Sequence, residues 1–223
     1  MDKNIPLTIA IPKGRLQKYT MTILEKGGID CSALKAPSRR LIISVPGTKW
    51  RFLLSKPSDV PTYVEYGAAD LGVVGKDTLL EGGKDVAELM DLKFGQCSLI
   101  VAVPEASGIS DVKELDFNSR VATTFPFITT EYFNRHGIQA EVVKLNGSVE
   151  LGPIVGLADA IVDITETGTT LLENGLIPIA EVARVSARLI ANQVSYKVKH
   201  TSICQLMRRL QKALQTQNAG QEG

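Results

Sequence analysis

Short apolar runs and stretches of helical spacing follow one another along this chain, separated by turn residues. Leu7-Thr8-Ile9-Ala10-Ile11 is apolar and β-branched, as a buried strand requires, and Pro12-Lys13-Gly14-Arg15 ends it. Leu16, Tyr19, Ile23 and Leu24 then share one helical face, and Gly27-Gly28 stops that helix. Leu41 to Val45 and Trp50 to Leu54 read as two strands around a Pro46-Gly47 turn. Ser58 or Asp59 is the expected cap of the next helix, with Pro61 in its first turn and an end near Gly67. Ala69 to Gly75 is another buried strand, and Lys76 to Leu80 opens a further helix.

The same order restarts after Leu92. Ser98 to Val103 and Arg120 to Thr123 read as strands, and Phe127 to Arg135 as a helix closed by His136-Gly137. Glu141 to Lys144 follows as a strand, Gly147-Ser148-Val149-Glu150-Leu151 opens a short helix, and Ala160 to Ile164 is again apolar. Gly67-Ala68-Ala69-Asp70-Leu71-Gly72-Val73 and Gly156-Leu157-Ala158-Asp159-Ala160-Ile161-Val162 look alike, each a helix end, an acid and a buried strand. Two similar α/β halves would give that symmetry. Ile179 to Val185 and Ser186 to Asn192 are mixed, and Val194-Ser195-Tyr196-Lys197 precedes a last helix from Lys199 to Leu214. Arg208, Arg209 and Lys212 are placed toward its C-terminal end, and the polar tail from Gln215 is expected to fray. The pattern predicts two α/β lobes with a ligand cleft between them: residues 1–92, completed by 178–223, and residues 93–177.

Composition narrows the function classes. The 223 residues suffice for one large or two small domains. With 25 basic against 24 acidic residues, no nucleic-acid patch or affinity for an anionic membrane is indicated. No apolar run is long enough to span a bilayer, and the N-terminus lacks a secretory pattern, so the expected compartment is the cytoplasm. Cys31, Cys97 and Cys204 have no metal-like spacing and read as reduced, mostly buried thiols. Only His136 and His200 could serve a catalytic cysteine, and His136 before Gly137 reads as a helix end.

The candidate chemistry centres on Ala160 to Leu176. A strand runs into Thr165-Glu166-Thr167-Gly168-Thr169-Thr170, and Leu171, Leu172 and Glu173 then start a helix. Amides at a helix start have no internal partner and point into the turn, where Gly168 permits close approach and Thr167, Thr169 and Thr170 add hydroxyls. A helix dipole would add roughly 0.3–2 kcal/mol for an anion. Asp163 and Glu166 would oppose a bare phosphate but could accept hydrogen bonds from a ribose diol, so a sugar phosphate fits the combination. Thr167 as a plain helix cap is the alternative. Lys13, Gly14 and Arg15 follow the first strand at its carboxyl end, where open α/β sheets bind ligands, although an ordinary turn with solvated bases reads the same way. Arg39-Arg40 and Lys56 carry that ambiguity too, and Glu150 reads as a ligand contact or a first-turn acid. Trp50 reads as core.

Taken in order, these segments resemble the ATP phosphoribosyltransferase family, in its short form, over nearly the whole chain. The resemblance runs from Ile9-Ala10-Ile11-Pro12-Lys13-Gly14-Arg15 to Asn192-Gln193-Val194-Ser195-Tyr196-Lys197. Its most specific pieces are Ser58-Asp59-Val60-Pro61-Thr62-Tyr63-Val64, Gly67 to Asp77, Gly147 to Leu151 and the Thr-Gly-Thr-Thr loop. It implies a two-lobed fold like type II periplasmic binding proteins. It implies transfer of phosphoribosyl from phosphoribosyl pyrophosphate to N1 of the adenine of ATP, releasing pyrophosphate, with substrate-bound Mg²⁺ and no metal site of the chain's own. This is the first step of histidine biosynthesis. By the same resemblance Thr167, Gly168, Thr169 and Thr170 would hold the 5′-phosphate, and Asp163 and Glu166 the ribose. Arg15 and Arg39 would act on the departing pyrophosphate, with Lys13, Gly14, Lys56 and Glu150 on the ATP or pyrophosphate side. The family often has arginine where Lys56 stands. A homodimer is implied, joined by a separate regulatory subunit resembling histidyl-tRNA synthetase. The rival readings are a two-lobed binding module without catalysis and a phosphoribosyltransferase for another base. The Rossmann-like phosphoribosyltransferases normally carry a second acid where Ile164 follows Asp163.

Overall fold

The computed structural model describes residues 5–36 and 39–219. In chain order its elements begin with β1 (Thr8–Pro12), α1 (Arg15–Lys26), α2 (Ser32–Lys35), β2 (Ile42–Ser44), β3 (Arg51–Ser55), α3 (Val60–Glu65), β4 (Leu71–Gly75), α4 (Lys76–Gly82) and β5 (Ala87–Asp91). They continue with β6 (Cys97–Pro104), β7 (Arg120–Thr123), α5 (Pro126–Arg135), β8 (Glu141–Lys144), α6 (Leu151–Ile154), β9 (Ala160–Thr165) and α7 (Thr169–Glu173). The chain then forms β10 (Leu176–Val185), β11 (Ala187–Ala191), α8 (Gln193–Val198) and α9 (His200–Ala219). It divides into two units, residues 1–95 with 186–223, and residues 96–185. Each is α/β, with its own mixed sheet.

The first unit orders its strands β2-β3-β1-β4-β11-β5. β1 pairs in parallel with β3 and β4, and every residue of β1 is buried, which explains its unbroken apolar run. Alternation sends Ile9 and Ile11 to one face, with Leu24 of α1 and Ile203, Leu206 and Leu210 of α9. Ala10 faces the other way, with Val60 and Val64 of α3. There Gly72 lets the sheet approach α3, since a Cβ on it would lie 2.8 Å from both Val60 Cγ1 and Val64 Cγ2.

Asp70, 7% exposed, ties the start of this sheet to the last helices. Its Oδ2 accepts from Thr8 N at 2.8 Å, and its Oδ1 accepts from Ser195 Oγ at 2.6 Å and Lys199 Nζ at 2.8 Å. Asn192 caps α8 by accepting from the Val194 and Ser195 amides, and its Nδ2 donates back to Val64 O and Glu65 O.

The second unit orders its strands β10-β6-β9-β7-β8. β9 lies between β6 and β7, antiparallel to the first and parallel to the second. Ala160 and Val162 pack with Leu99, Val101, Ile128 and Phe133 on one face. Ile161 packs with Ile100, Ala102, Val149 and Leu171 on the other.

Several sequence expectations are corrected. The second unit keeps β10, so the chain re-enters the first unit at residue 186 rather than 178. The reason is pairing, because β10 runs antiparallel to β6 from Leu176↔Pro104 to Val185↔Cys97. β5 went unread because Ala87-Glu88-Leu89-Met90-Asp91 holds no β-branched residue, and pairing with β11 makes it a strand. α9 continues to Ala219, so Arg208, Arg209 and Lys212 stand in the helix interior, with no basic residue in the last turn. Tyr19 is 47% exposed and stacks on Phe94 with ring centroids 5.7 Å apart. Asp59 does stand at the N-cap of α3 as expected, but without a side-chain cap bond; its Oδ1 accepts from Ser58 Oγ at 3.0 Å.

Candidate active site

The carboxyl end of β9 carries the richest chemistry in the second unit. Beyond the buried stretch Ala160-Ile161-Val162, the strand becomes half-exposed from Asp163 onward. Asp163 stands opposite Ile100 and shares the strand face of Ile161. A cavity of about 270 Å³ opens there, lined by Glu150, Asp163 and Glu166 together with Thr165, Thr167, Thr169 and Thr170. Burial is the main cause that pushes the Asp163 carboxyl up to about 6; a hydrogen bond from the Ile164 backbone opposes the rise, and the charge of Glu150 adds to it.

Gly168 forms the turn at the cavity wall, with φ 79° and no heavy atom within 4 Å of the place a Cβ would take. It, and not Thr167, is the cap residue of α7. The Thr167 and Thr169 hydroxyls lie 2.9 Å apart. Gly168 N donates to Thr165 Oγ1 at 2.8 Å, and Gly168 O accepts from Leu172 N at 3.1 Å. Of the amides before that first helical bond, Thr169 N donates to Thr167 Oγ1 at 3.4 Å, and those of Thr170 and Leu171 are the ones left to an anion. α7 has five residues, so these local amides outweigh any macrodipole. Glu150 occupies the cap position of α6 without a side-chain cap bond, and its carboxylate lines the cavity instead.

The expected cations assemble at one edge of the first unit's sheet. β1 and β3 are parallel with Pro12 opposite Ser55, and Lys13 N donates to Ser55 O at 2.8 Å, so Lys13 and Lys56 leave the sheet side by side. β2 enters at that same edge, because Leu54 N donates to Leu41 O at 2.8 Å, which brings Arg39 and Arg40 next to the strand ends. Gly14, at φ 94° and ψ −145°, starts α1 in a conformation open to glycine, and Arg15 follows it. Gly14 and Arg15 line a hollow of about 630 Å³ with Lys18, Tyr19 and Thr22. Lys13, Arg15, Arg39 and Lys56 are all exposed.

Two residues escaped the sequence reading as site candidates. Asp77, just past the carboxyl end of β4, has its carboxyl raised mainly by burial, while hydrogen bonds from its own amide and Thr78 and the charge of Arg15 oppose the rise. Its place in Gly75-Lys76-Asp77, two residues beyond the end of a buried strand, was the available signal. Thr165 was read only as the start of a turn, and its hydroxyl proves to be a loop contact. His136 stays within its own helix, Nδ1 lying 2.8 Å from Tyr132 O. Trp50 is 1% exposed, a core residue as expected. Cys31 and Cys97 are buried and Cys204 is half-buried, all three as free thiols. Among the described residues no group of three or more His, Cys, Asp or Glu is placed to hold a metal, and no helix is long and apolar enough to cross a membrane.

Known proteins resemble this chain over most of its length. Residues 56–212 match the family model for ATP phosphoribosyltransferase. Among the relatives, the ATP phosphoribosyltransferase of Syntrophotalea carbinolica is 48% identical, the match covering 97% of this chain and 98% of that protein. That of Halothermothrix orenii is 49% identical, over 94% of this chain and 95% of that one. Of solved structures, the ATP phosphoribosyl transferase (HisG:HisZ) complex from Thermotoga maritima contains a chain that superposes with TM-score 0.80 at 35% identity, covering 94% of this chain and 99% of that chain. The periplasmic aliphatic sulphonate binding protein SsuA from Escherichia coli superposes with TM-score 0.64 at 14% identity, over 97% of this chain and 75% of that one, a likeness of fold alone. The two units are therefore those of a periplasmic-binding-protein-like fold, and the chain belongs to the ATP phosphoribosyltransferase family.

Proposed function

We propose that this chain transfers the phosphoribosyl group of phosphoribosyl pyrophosphate to N1 of the adenine of ATP and releases pyrophosphate, opening histidine biosynthesis. The observation that carries the reading is the cavity at the end of β9, lined by four threonines and three carboxylates on a loop turned by a glycine in left-handed conformation. A sugar phosphate suits that set. The Thr170 and Leu171 amides and the threonine hydroxyls receive the 5′-phosphate. Asp163 and Glu166 accept hydrogen bonds from the ribose hydroxyls, Asp163 as a carboxylate above about pH 6.

Breaking the anomeric C–O bond leaves an oxocarbenium-like ribose and a pyrophosphate whose negative charge grows. Adenine N1 attacks with its lone pair, so the reaction needs orientation and leaving-group stabilisation more than a general base. In this reading Arg15 and Arg39 stabilise the pyrophosphate, while Lys13, Gly14, Lys56 and Glu150 contact the nucleotide or the diphosphate. Lysine at position 56 supplies a point charge there in place of a two-pronged arginine contact. Mg²⁺ enters as part of the substrate, bound to its diphosphate.

The test is pyrophosphate release from phosphoribosyl pyrophosphate with a panel of free bases and nucleotides. Turnover with ATP alone is expected; turnover with a free base would assign the chain to another phosphoribosyl transfer, and none at all would favour a binding module. We further propose a cytoplasmic homodimer controlled by a separate subunit resembling histidyl-tRNA synthetase; the second component of the Thermotoga complex supports the separate subunit. Histidine should barely inhibit this chain alone and should inhibit it once the partner is added, through a coupling of about 1–3 kcal/mol. Strong inhibition without the partner would refute the separate-subunit reading.

A further inference from the structure

We propose that Thr165 is a positioning residue for this reaction, its hydroxyl holding the Gly168 amide so that the following amides present to the 5′-phosphate. The inference rests on reading the β9–α7 loop as the phosphate site. Both polar groups of Gly168 are engaged: its N–H donates to Thr165 Oγ1 at 2.8 Å, and its C=O accepts from Leu172 N at 3.1 Å. With φ 79° and open space on the side where a Cβ would stand, Gly168 has no side chain of its own to hold this conformation. The two hydrogen bonds supply what packing does not, fixing the plane of the peptide before Gly168 and of the one after it.

Thr165 is suited to the task. It is the last residue of β9, in register with Ser98 of β6, so its backbone belongs to the sheet while its side chain reaches forward into the loop. Being β-branched, it has few rotamers, and its hydroxyl is delivered with little loss of freedom. The division of labour is then clear. Thr165 holds the Gly168 amide and Thr167 Oγ1 that of Thr169, which leaves the Thr170 and Leu171 amides, with the Thr167 and Thr169 hydroxyls, for the ligand.

Thr165→Val keeps the shape and the β-branch and removes only the hydroxyl. Ribose 5-phosphate is titrated into wild type and variant by calorimetry, and kcat and both KM values are measured. Affinity for ribose 5-phosphate should fall, and KM for phosphoribosyl pyrophosphate should rise, by about three- to tenfold, the worth of one hydrogen bond. KM for ATP and kcat should stay within about twofold, and Thr165→Ser should restore wild-type binding. Unchanged affinity in Thr165→Val would overturn the proposal. Tighter binding would overturn it too, by showing that the hydroxyl competes with phosphate for the Gly168 amide. Should Thr165→Val not fold, Thr165→Ser and Thr165→Ala carry the same comparison, and equal affinity in those two overturns it. Failure of wild type to bind ribose 5-phosphate, or normal binding by Gly168→Val, removes the phosphate site itself and this inference with it.

Discussion

Replacing Asp163 by asparagine should make the protein more stable and less active. Burial holds this carboxyl at about 6 against an ordinary value of 3.8. A raised carboxyl pKa means that the folded protein holds the proton more tightly than the unfolded chain does. Wild type therefore loses stability as pH rises from about 4 to about 6, and above that the deficit is constant. At 1.36 kcal/mol per unit, the displacement of about 2 units corresponds to a deficit of up to about 3 kcal/mol. Asparagine keeps the shape of the protonated acid and never ionises. In urea unfolding at pH 8, Asp163→Asn should exceed wild type by about 2–3 kcal/mol, and the two should converge near pH 4. Activity should move the other way. A neutral amide oxygen accepts a weaker hydrogen bond from a ribose hydroxyl than a carboxylate does, so kcat/KM for phosphoribosyl pyrophosphate should fall about tenfold. Wild-type kcat/KM should itself decline below about pH 6. Equal stability at pH 8, or a difference that persists unchanged to pH 4, would refute the electrostatic argument.

Gly168→Val should cost about 1–2 kcal/mol of stability through its left-handed backbone and abolish use of phosphoribosyl pyrophosphate, since the side chain would enter the open space in front of the loop; steady-state constants like those of wild type would contradict this. Arg15→Ala and Arg39→Ala should lower kcat by about 10²–10³ with little change in KM, because pyrophosphate gains charge only as the bond breaks, and a rise in KM alone would reduce either residue to ground-state binding. Asp70→Ala should cost about 3 kcal/mol in denaturant unfolding, as the Thr8 amide, Ser195 hydroxyl and Lys199 ammonium lose a shared buried acceptor, and a loss under about 1 kcal/mol would show that water replaces it.

The strands legible most plainly in the sequence are the buried interior ones, although the edge strands β2 and β8 are legible as well. β1, β4 and the first three residues of β9 are buried on both faces, and such runs need no knowledge of the partner strand. β5 holds its form only through β11, which lies about a hundred residues later, so nothing local announces it. The phosphate loop is likewise local, a strand, a glycine and hydroxyls in sequence, and it folds as its residues suggest. Glu150 joins that cavity from a different loop, on the strength of motif resemblance rather than spacing. Thr165 could not be recognised beforehand, because its role lies in one side-chain contact with the Gly168 amide, whereas Asp77 was marked only by its place after β4 and owes its raised carboxyl chiefly to burial.

The way the first sheet is stitched together sets an order on its making. β5 pairs with β11 and lies at the sheet edge, so it has no route to β4 except through that later strand. On a ribosome β5 emerges before the whole of residues 96–185 and has to wait, unpaired, while the second unit is synthesised and closes its own sheet. The second unit has no such debt, since its first and last strands face each other from Cys97↔Val185 onward. A nascent chain stalled after Val185 should thus show a protected second unit and a β5 open to protease, and protection of β5 at that length would disprove the order. The first four strands can pair among themselves as they emerge, so birth of this protein leaves β5 alone in reserve until the C-terminal segment arrives to lock it.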